Sequence, residues 1–373
     1  MLKRIFLFVV LPILVVVIFV LMYLMISPRV GGRPKGDRLA RIEASPNYRD
    51  GKFQNLVETR MDMPFGVMMK VLWQVLTGGE GREPEDPIPT VQFDRKAWEA
   101  VPDSSYAIAW FGHSTVLIKL EGITFLVDPV FSERASAFSF AGPKRFRYTI
   151  QPRLQDLPHI DVVLLSHDHY DHLDHESVIY LKDRVNRWMM PLGVGAHLER
   201  WGVKADRIEE FDLWNAALHG KVEISLVPTR HFSGRGLTDR FSTLWGGWVL
   251  QGGKCTLLFG GDSGYSTTFA EVGGRYGPFD LVMLECGAYN ENWSSIHMYP
   301  EEVAQAARDL GTRALVPIHW AKFNLALHHW KDPIERLKAA GKGSFIPLLT
   351  PRVGRIMIDA DPSVSEPWWN DLE

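Results

Sequence analysis

From Tyr106 onward, apolar residues fall in short runs broken by glycine, proline and charged residues, the pattern of buried strands rather than of long helices. Tyr106–Phe111, Thr115–Leu120 and Ile123–Val127 read as a meander, with Glu121-Gly122 at its second turn. Asp161–Ser166 is a continuous buried-type strand, and a helix over Ser177–Arg184 follows it. Val222–Val227, Leu244–Leu250, Cys255–Gly260, Leu281–Glu285 and Ala314–Ile318 are further strands. A helix over Pro300–Leu310 separates the last two; proline at its first position and Glu301 and Glu302 in its first turn favour that start. Strands with helices interspersed predict an α/β protein, an αββα sandwich in which sheets are covered by helices.

The pattern ahead of Tyr106 is different. Ile5 to Ile26 carries no charge, and at 1.5 Å per residue it would make roughly 33 Å of helix, enough for a bilayer. No small-residue cleavage site follows it, so it reads as an uncleaved transmembrane anchor over residues 1–27. Arg29, Arg33, Lys35, Arg38 and Arg41 outnumber Lys3 and Arg4, which places the bulk of the chain on the cytoplasmic side of the membrane. Residues 28–100 form a linker and N-terminal extension. Within it Met63 to Leu76 predicts a short helix whose apolar side either packs on the body or touches lipid. Residues 101–360 make the catalytic domain and 361–373 a tail, whose Trp368-Trp369 either meets the bilayer or packs on the body.

Charge narrows the partners. Lys and Arg total 41 against 44 Asp and Glu, a formal charge of -3, so no strong field invites nucleic acid. The two cysteines, Cys255 and Cys286, each lie in an apolar run and read as core, not as a disulfide.

Chemistry concentrates in Ser166-His167-Asp168-His169-Tyr170-Asp171-His172, directly after a buried strand, where a loop is anchored yet open. Imidazole and carboxylate at this density suit zinc, with iron or manganese in second place. A two-metal site needs more ligands, and three other runs end in suitable ones: His231 after Val222–Val227, Asp262 after Leu257 to Gly261, and His319 after Leu315 to Ile318. The expected assembly puts His167, His169 and His231 on one Zn2+ and Asp171, His172 and His319 on a second, with Asp262 between them. Asp171 and Asp262 would then act in catalysis through a shared hydroxide. Zinc brings a bound water to a pKa of about 7, and a site charge of roughly +1 would attract an anionic ester. Asp128, after Ile123–Val127, can hold a ligating imidazole in place, and His113 either does the same or is structural. Lys144 and Arg145 are either phosphate contacts or plain surface cations.

These residues resemble the metallo-β-lactamase superfamily. His113-Ser114-Thr115, Val127 to Ser132, Gly142 to Phe146, Ser166 to Asp174, Leu244-Trp245-Gly246, Gly260 to Tyr265, Tyr276 to Asp280, Gly287-Ala288-Tyr289, Pro300-Glu301-Glu302 and Ile318-His319-Trp320 are similar to the N-acylphosphatidylethanolamine-hydrolysing phospholipase D family within it. The resemblance covers about residues 100 to 330. It implies a zinc phosphodiesterase releasing an N-acylethanolamine and phosphatidic acid from a membrane phospholipid, and gives His297 as a substrate contact. Around Thr229 to Gly236 the chain departs from the family's phrase, and the apolar N-terminal segment is not in its usual pattern. A lactonase or thioesterase of the same fold, and a non-catalytic membrane-tethered metal or lipid binder, are the competing readings.

Overall fold

The computed structural model describes residue 8 and residues 10–60 and 64–373. The transmembrane helix expected over Ile5–Ile26 is not shown. Among the described residues no helix is long and apolar enough to cross a membrane. The helix described there, α1 (Leu11–Ile26), spans about 24 Å. Ile5, Phe6, Leu7 and Val9 of the expected span lie outside the described residues. Along α1 most apolar side chains are exposed; Val20, Tyr23 and Leu24 are half-buried, and Tyr23 stacks on Phe138 at 4.7 Å between ring centres.

Below α1 the chain is stitched to the body. The Trp201 indole donates to the Pro28 carbonyl at 2.6 Å, Arg200 Nη1 to Gly31 O at 2.7 Å, and Arg235 Nη2 to Arg29 O at 2.7 Å. Gly31 makes the close approach, at φ 86° and ψ -169°, a region open essentially to glycine. A Cβ there would sit 2.0 Å from His197 Nδ1. Gly31→Ala is therefore expected to release this segment, raising trypsin cleavage after Arg29 and Lys35 severalfold; unchanged cleavage would show that the contact yields.

Helix α2 (Gly36–Glu43) is pinned through Arg38 and Arg41, which both pair with the buried Glu210. A small hairpin, β1 (Tyr48–Arg49) and β2 (Lys52–Phe53), leads to α3 (Phe65–Thr77). That helix matches the expected Met63–Leu76, with Met63 outside the described residues. Its Phe65, Met68, Met69, Leu72, Trp73 and Val75 stay exposed. A short α4 (Arg95–Glu99), capped by Asp94, precedes the sheets.

The first sheet contains β3 (Ala107–Trp110), β4 (Val116–Leu120), β5 (Ile123–Val127), β6 (Val162–Leu164), β7 (Arg187–Pro191) and β8 (Ile208–Phe211). The second contains β9 (Ala216–His219), β10 (Val222–Val227), β11 (Gly247–Gln251), β12 (Thr256–Phe259), β13 (Leu281–Glu285) and β14 (Leu315–Ile318). Strand β15 (Ile356–Ile358) closes the first, giving the order β15-β3-β4-β5-β6-β7-β8 against β14-β13-β12-β11-β10-β9. Alternation along each strand divides the core. Ile108, Trp110, Ile118 and Phe125 face the second sheet's Ile224, Leu226, Trp248 and Leu257. Ala107, Ala109, Leu117 and Leu126 point the other way, onto Trp98 of α4 and Val178 and Leu181 of α5 (His175–Leu181). Helices α6 (Gly195–Arg200), α7 (Thr268–Tyr276), α8 (Pro300–Asp309) and α9 (Asp332–Ala340) complete the outer layers. The α/β sandwich is the expected one.

The tail packs on the body. Trp368 stacks on Trp320 at 5.2 Å, and Trp369 meets it edge-on at 5.6 Å, both buried. Trp320 follows His319, so the tail buttresses the end of β14.

Candidate metal centre

Strand ends of both sheets converge on one rim. The loop after β6 supplies His167, His169, Asp171 and His172; the segments after β10, β12 and β14 supply His231, Asp262 and His319. Across the rim, His319 N donates to His113 O at 2.9 Å and His113 N to Trp320 O at 3.1 Å, joining the sheets by backbone. Both histidines take positive φ, 53° at His113 and 64° at His319, uncommon for residues other than glycine and a mark of strain often found at functional sites.

Two clusters result. In one, His169 Nδ1 lies 2.9 Å from His167 Nε2 and 3.2 Å from His231 Nε2. In the other, Asp171 Oδ2 lies 3.5 Å from His172 Nε2, 3.4 Å from His319 Nε2 and 2.8 Å from His113 Nε2. Asp262 sits between them. Its Oδ2 is 3.9 Å from His167 Nε2, 3.7 Å from His231 Nε2 and 3.0 Å from His319 Nε2, while Oδ1 is 3.2 Å from His172 Nε2. All seven residues selected from the sequence are thus brought together. His113, expected only as a support, stands as close to Asp171 as any of them.

The donors behind the ring atoms are committed elsewhere. Asp128 accepts from Ser166 N at 2.7 Å and from His172 Nδ1 at 2.7 Å, which leaves His172 Nε2 with a lone pair turned to the centre. His231 Nδ1 donates to Ile296 O at 3.0 Å with the same consequence. His297, expected against substrate, is bound through Nδ1 to Glu285 Oε2 at 2.6 Å and lines the same cavity.

Does this set fit a cation? His172 Nε2, His319 Nε2 and Asp262 Oδ1 are buried and make no hydrogen bond among the described residues, although polar atoms surround them. That is costly unless something else satisfies them. The ring and carboxylate atoms of each cluster lie within 4.8 Å of one another, spacing that can hold a divalent ion. Titration agrees. Burial and neighbouring imidazoles hold His167 well below the ordinary range; burial does the same to His231, so both present lone pairs. Burial opposes charge on His172 and His319 too, but Asp262 and Asp171 outweigh it, raising His172 well above its usual value and His319 to about 10. Buried carboxylates here demand positive charge, and a cation would supply it in place of those protons.

Asp168, within the loop, is in neither cluster: it accepts from Thr243 Oγ1 at 2.9 Å and Gly234 N at 2.7 Å, and lies 3.2 Å from His197 Nε2. Lys144 pairs with Glu133 at 2.9 Å, and Arg145 donates to Gln151 at 2.9 Å; neither lines the metal cavity. Glu285 is a further member of the site. It ends β13, the same signal that marked Asp262 and His319, and it accepts from Ser263 N and Met298 N while orienting His297. Its carboxyl is raised above the usual range by burial. His197 and Arg235 carry no comparable signal, because they act on loop backbone and on Asp168.

Over the clusters opens a cavity of about 490 Å³. Met68 of α3, Phe232, Trp293, Ile296 and Leu325 give it an apolar wall, and Arg240 a cationic one. Two stacked sheets bearing His/Asp clusters at their common edge define a metal-dependent hydrolase of the metallo-β-lactamase fold. The chain matches the beta-lactamase superfamily domain over residues 124–320 and belongs to that superfamily. It is 40% identical over 348 residues to an uncharacterized protein of Mycobacterium tuberculosis, covering 92% of each chain. It is 36% identical over 251 residues to N-acyl-phosphatidylethanolamine-hydrolyzing phospholipase D 1 of Caenorhabditis elegans, covering 63% of this chain and 70% of that one. Among solved structures, Igni18, a metallo hydrolase of the archaeon Ignicoccus hospitalis, aligns with TM-score 0.53 at 17% identity, over 68% of this chain and 98% of that one.

Proposed function

We propose that the chain is a two-zinc phosphodiesterase that hydrolyses N-acylphosphatidylethanolamine, or a phospholipid close to it, at a membrane surface. The observation that carries this reading is Asp262, set between two histidine clusters beneath a cavity whose wall is apolar and whose cation is Arg240. His167, His169 and His231 would hold one ion and Asp171, His172 and His319 the other, with Asp262 shared. When bound, such a pair brings a water to a pKa of about 7 and draws off charge from a phosphoryl oxygen.

The chain's own residues prepare the reaction. Asp128, through His172 Nδ1, and the Ile296 carbonyl, through His231 Nδ1, fix which ring nitrogen faces the centre. Glu285 holds His297 at the cavity wall, where its free Nε2 can meet a substrate oxygen. Arg240 offers a guanidinium to the phosphate, and Met68, Trp293 and Leu325 shelter acyl carbons and exclude water. The exposed apolar faces of α1 and α3 support work at a bilayer, with Met68 joining α3 to the cavity. Similarity to the nematode phospholipase D supports the substrate class.

Incubating the purified zinc-loaded chain with mixed phospholipids is expected to yield phosphatidic acid and N-acylethanolamine by mass spectrometry. Chelation should abolish both products and zinc should restore them. Turnover of a lactone or thioester panel with no phosphodiester cleavage would replace this reading with carbonyl chemistry on the same fold.

A further inference from the structure

A second cavity, of about 540 Å³, lies at the foot of α1 and shares no lining residue with the metal cavity. One wall is Leu21, Leu24 and Met25 of α1; the facing wall is the loop of Gly236 to Asp239, with Leu237 at 68% exposure. Arg33, Lys35 and Arg200 stand around it. The groove is therefore apolar along α1 and cationic below.

The fate of the nearby cations decides what this polarity is for. Arg29 pairs with Glu176, Arg38 with Glu199 and Glu210, and Arg41 with Glu210. Two of the three cations at the groove bond differently: Arg33 Nη2 donates to Thr238 Oγ1 at 2.6 Å and Arg200 Nη1 to the Gly31 carbonyl, both uncharged acceptors. Among the described residues no carboxylate forms an ion pair with Arg33, Lys35 or Arg200. The acid lining the groove, Asp239, turns both carboxylate oxygens to Gly236 N, at 2.8 and 2.9 Å. Positive charge thus collects where an apolar helix meets polar loops, the arrangement that suits an anionic lipid head group with its acyl chain lying along the helix.

We propose that this groove binds one anionic phospholipid of the bilayer as a ligand that is not hydrolysed, its phosphate among Arg33, Lys35 and Arg200 and an acyl chain against Leu21, Leu24 and Met25. The proposal needs α1 to meet lipid but does not depend on which bond the metal centre cleaves. Its site bears on that centre through one loop. His231 and Phe232 begin the segment and Arg240 ends it, all three facing the metal cavity, while Gly236 to Asp239 between them face the groove. A lipid seated there holds the loop from the opposite side.

Native mass spectrometry of the detergent-solubilised full chain tests this with dioleoylphosphatidylglycerol and dioleoylphosphatidylcholine as probes. The wild type is expected to retain one phosphatidylglycerol with about tenfold preference over phosphatidylcholine. That preference should vanish in R33Q/K35Q, whose changes lie on exposed side chains, and retention should fall in Leu237→Asp, which spoils the apolar wall. Glycerol 3-phosphate at millimolar concentration should not displace the lipid. Equal retention of both lipids, an unchanged preference in R33Q/K35Q, or displacement by glycerol 3-phosphate alone would overturn the proposal. Absence of phosphodiester turnover would leave this readout untouched, so it fails separately from the proposed reaction.

Discussion

Asp262→Asn is expected to lower kcat by about a thousandfold or more, equivalent to roughly 4 kcal/mol of transition-state stabilisation, and to leave the chain with less metal. Its carboxylate is within 3.9 Å of both histidine clusters, and the side chain is 2% exposed, so water cannot substitute for the lost oxygen. An amide keeps the shape but removes the charge that balances two cations, and it turns a donor toward ring nitrogens that must themselves be acceptors. Asp128→Asn is the informative contrast. It acts only through His172 Nδ1 and the Ser166 hydrogen bonds, and changes behind a ligand typically cost 10- to about 100-fold. Elemental analysis beside kcat separates the two cases. Near-normal turnover with full metal in Asp262→Asn would sink the shared-carboxylate arrangement and with it the proposed two-zinc chemistry.

The part of the site that the sequence revealed is the part that ends strands. His231, Asp262 and His319 each follow a run of buried residues, and a side chain at that position must leave the sheet at its rim. Glu285 obeys the same rule and was legible for the same reason, but a glutamate closing an apolar run reads as the end of burial until His297 is seen bonded to it. His197 and Arg235 are of another kind. They touch the metal loop from α6 and from the loop after β10, and pairing across such distances in the chain has no periodic trace. The αββα arrangement was legible because alternation splits each strand between two cores, Ile108 and Trp110 to one, Ala107 and Ala109 to the other.

Hydrophobicity carried less at the N-terminus. The uncharged run predicts a crossing over Ile5–Ile26, of which the described residues hold the helix Leu11–Ile26, and the polar contacts at Pro28, Arg29 and Gly31 that mark where the body takes over leave no trace in a hydrophobic pattern. Charge counting was equally blind. Five cations follow the run, yet Arg29, Arg38 and Arg41 are neutralised by Glu176, Glu199 and Glu210, residues far along the chain. What remains for a membrane or a lipid is Arg33 and Lys35, a number that sequence patterning could not supply.

Arg235→Met is expected to destabilise the fold by about 3 kcal/mol or more and to weaken metal retention about 10- to 100-fold, although Arg235 is in neither cluster. The guanidinium is buried and gives Nη1 to Asp168 O at 2.6 Å and Leu173 O at 2.8 Å, and Nε and Nη2 to Arg29 O at 3.1 and 2.7 Å. It lies 4.0 Å from the centre of the Tyr170 ring, whose hydroxyl donates back to Arg235 O at 2.7 Å. One side chain therefore clamps both ends of the loop that carries His169, Asp171 and His172, and ties it to the foot of α1. Methionine fills similar space but leaves two buried carbonyls, Asp168 O and Leu173 O, and the half-buried Arg29 O without a donor, each buried one costing about 1–3 kcal/mol in the absence of water. Lysine would keep the charge and lose the fork: a single ammonium cannot reproduce the directed bonds to Asp168 O, Leu173 O and Arg29 O together, so Arg235→Lys should recover only part of the loss. Thermal unfolding and zinc titration of the three proteins measure both effects. If Arg235→Met unfolds at the wild-type temperature and holds zinc as tightly, the loop is rigid without its clamp, and its geometry must be set by Asp168 through Thr243 and Gly234 instead.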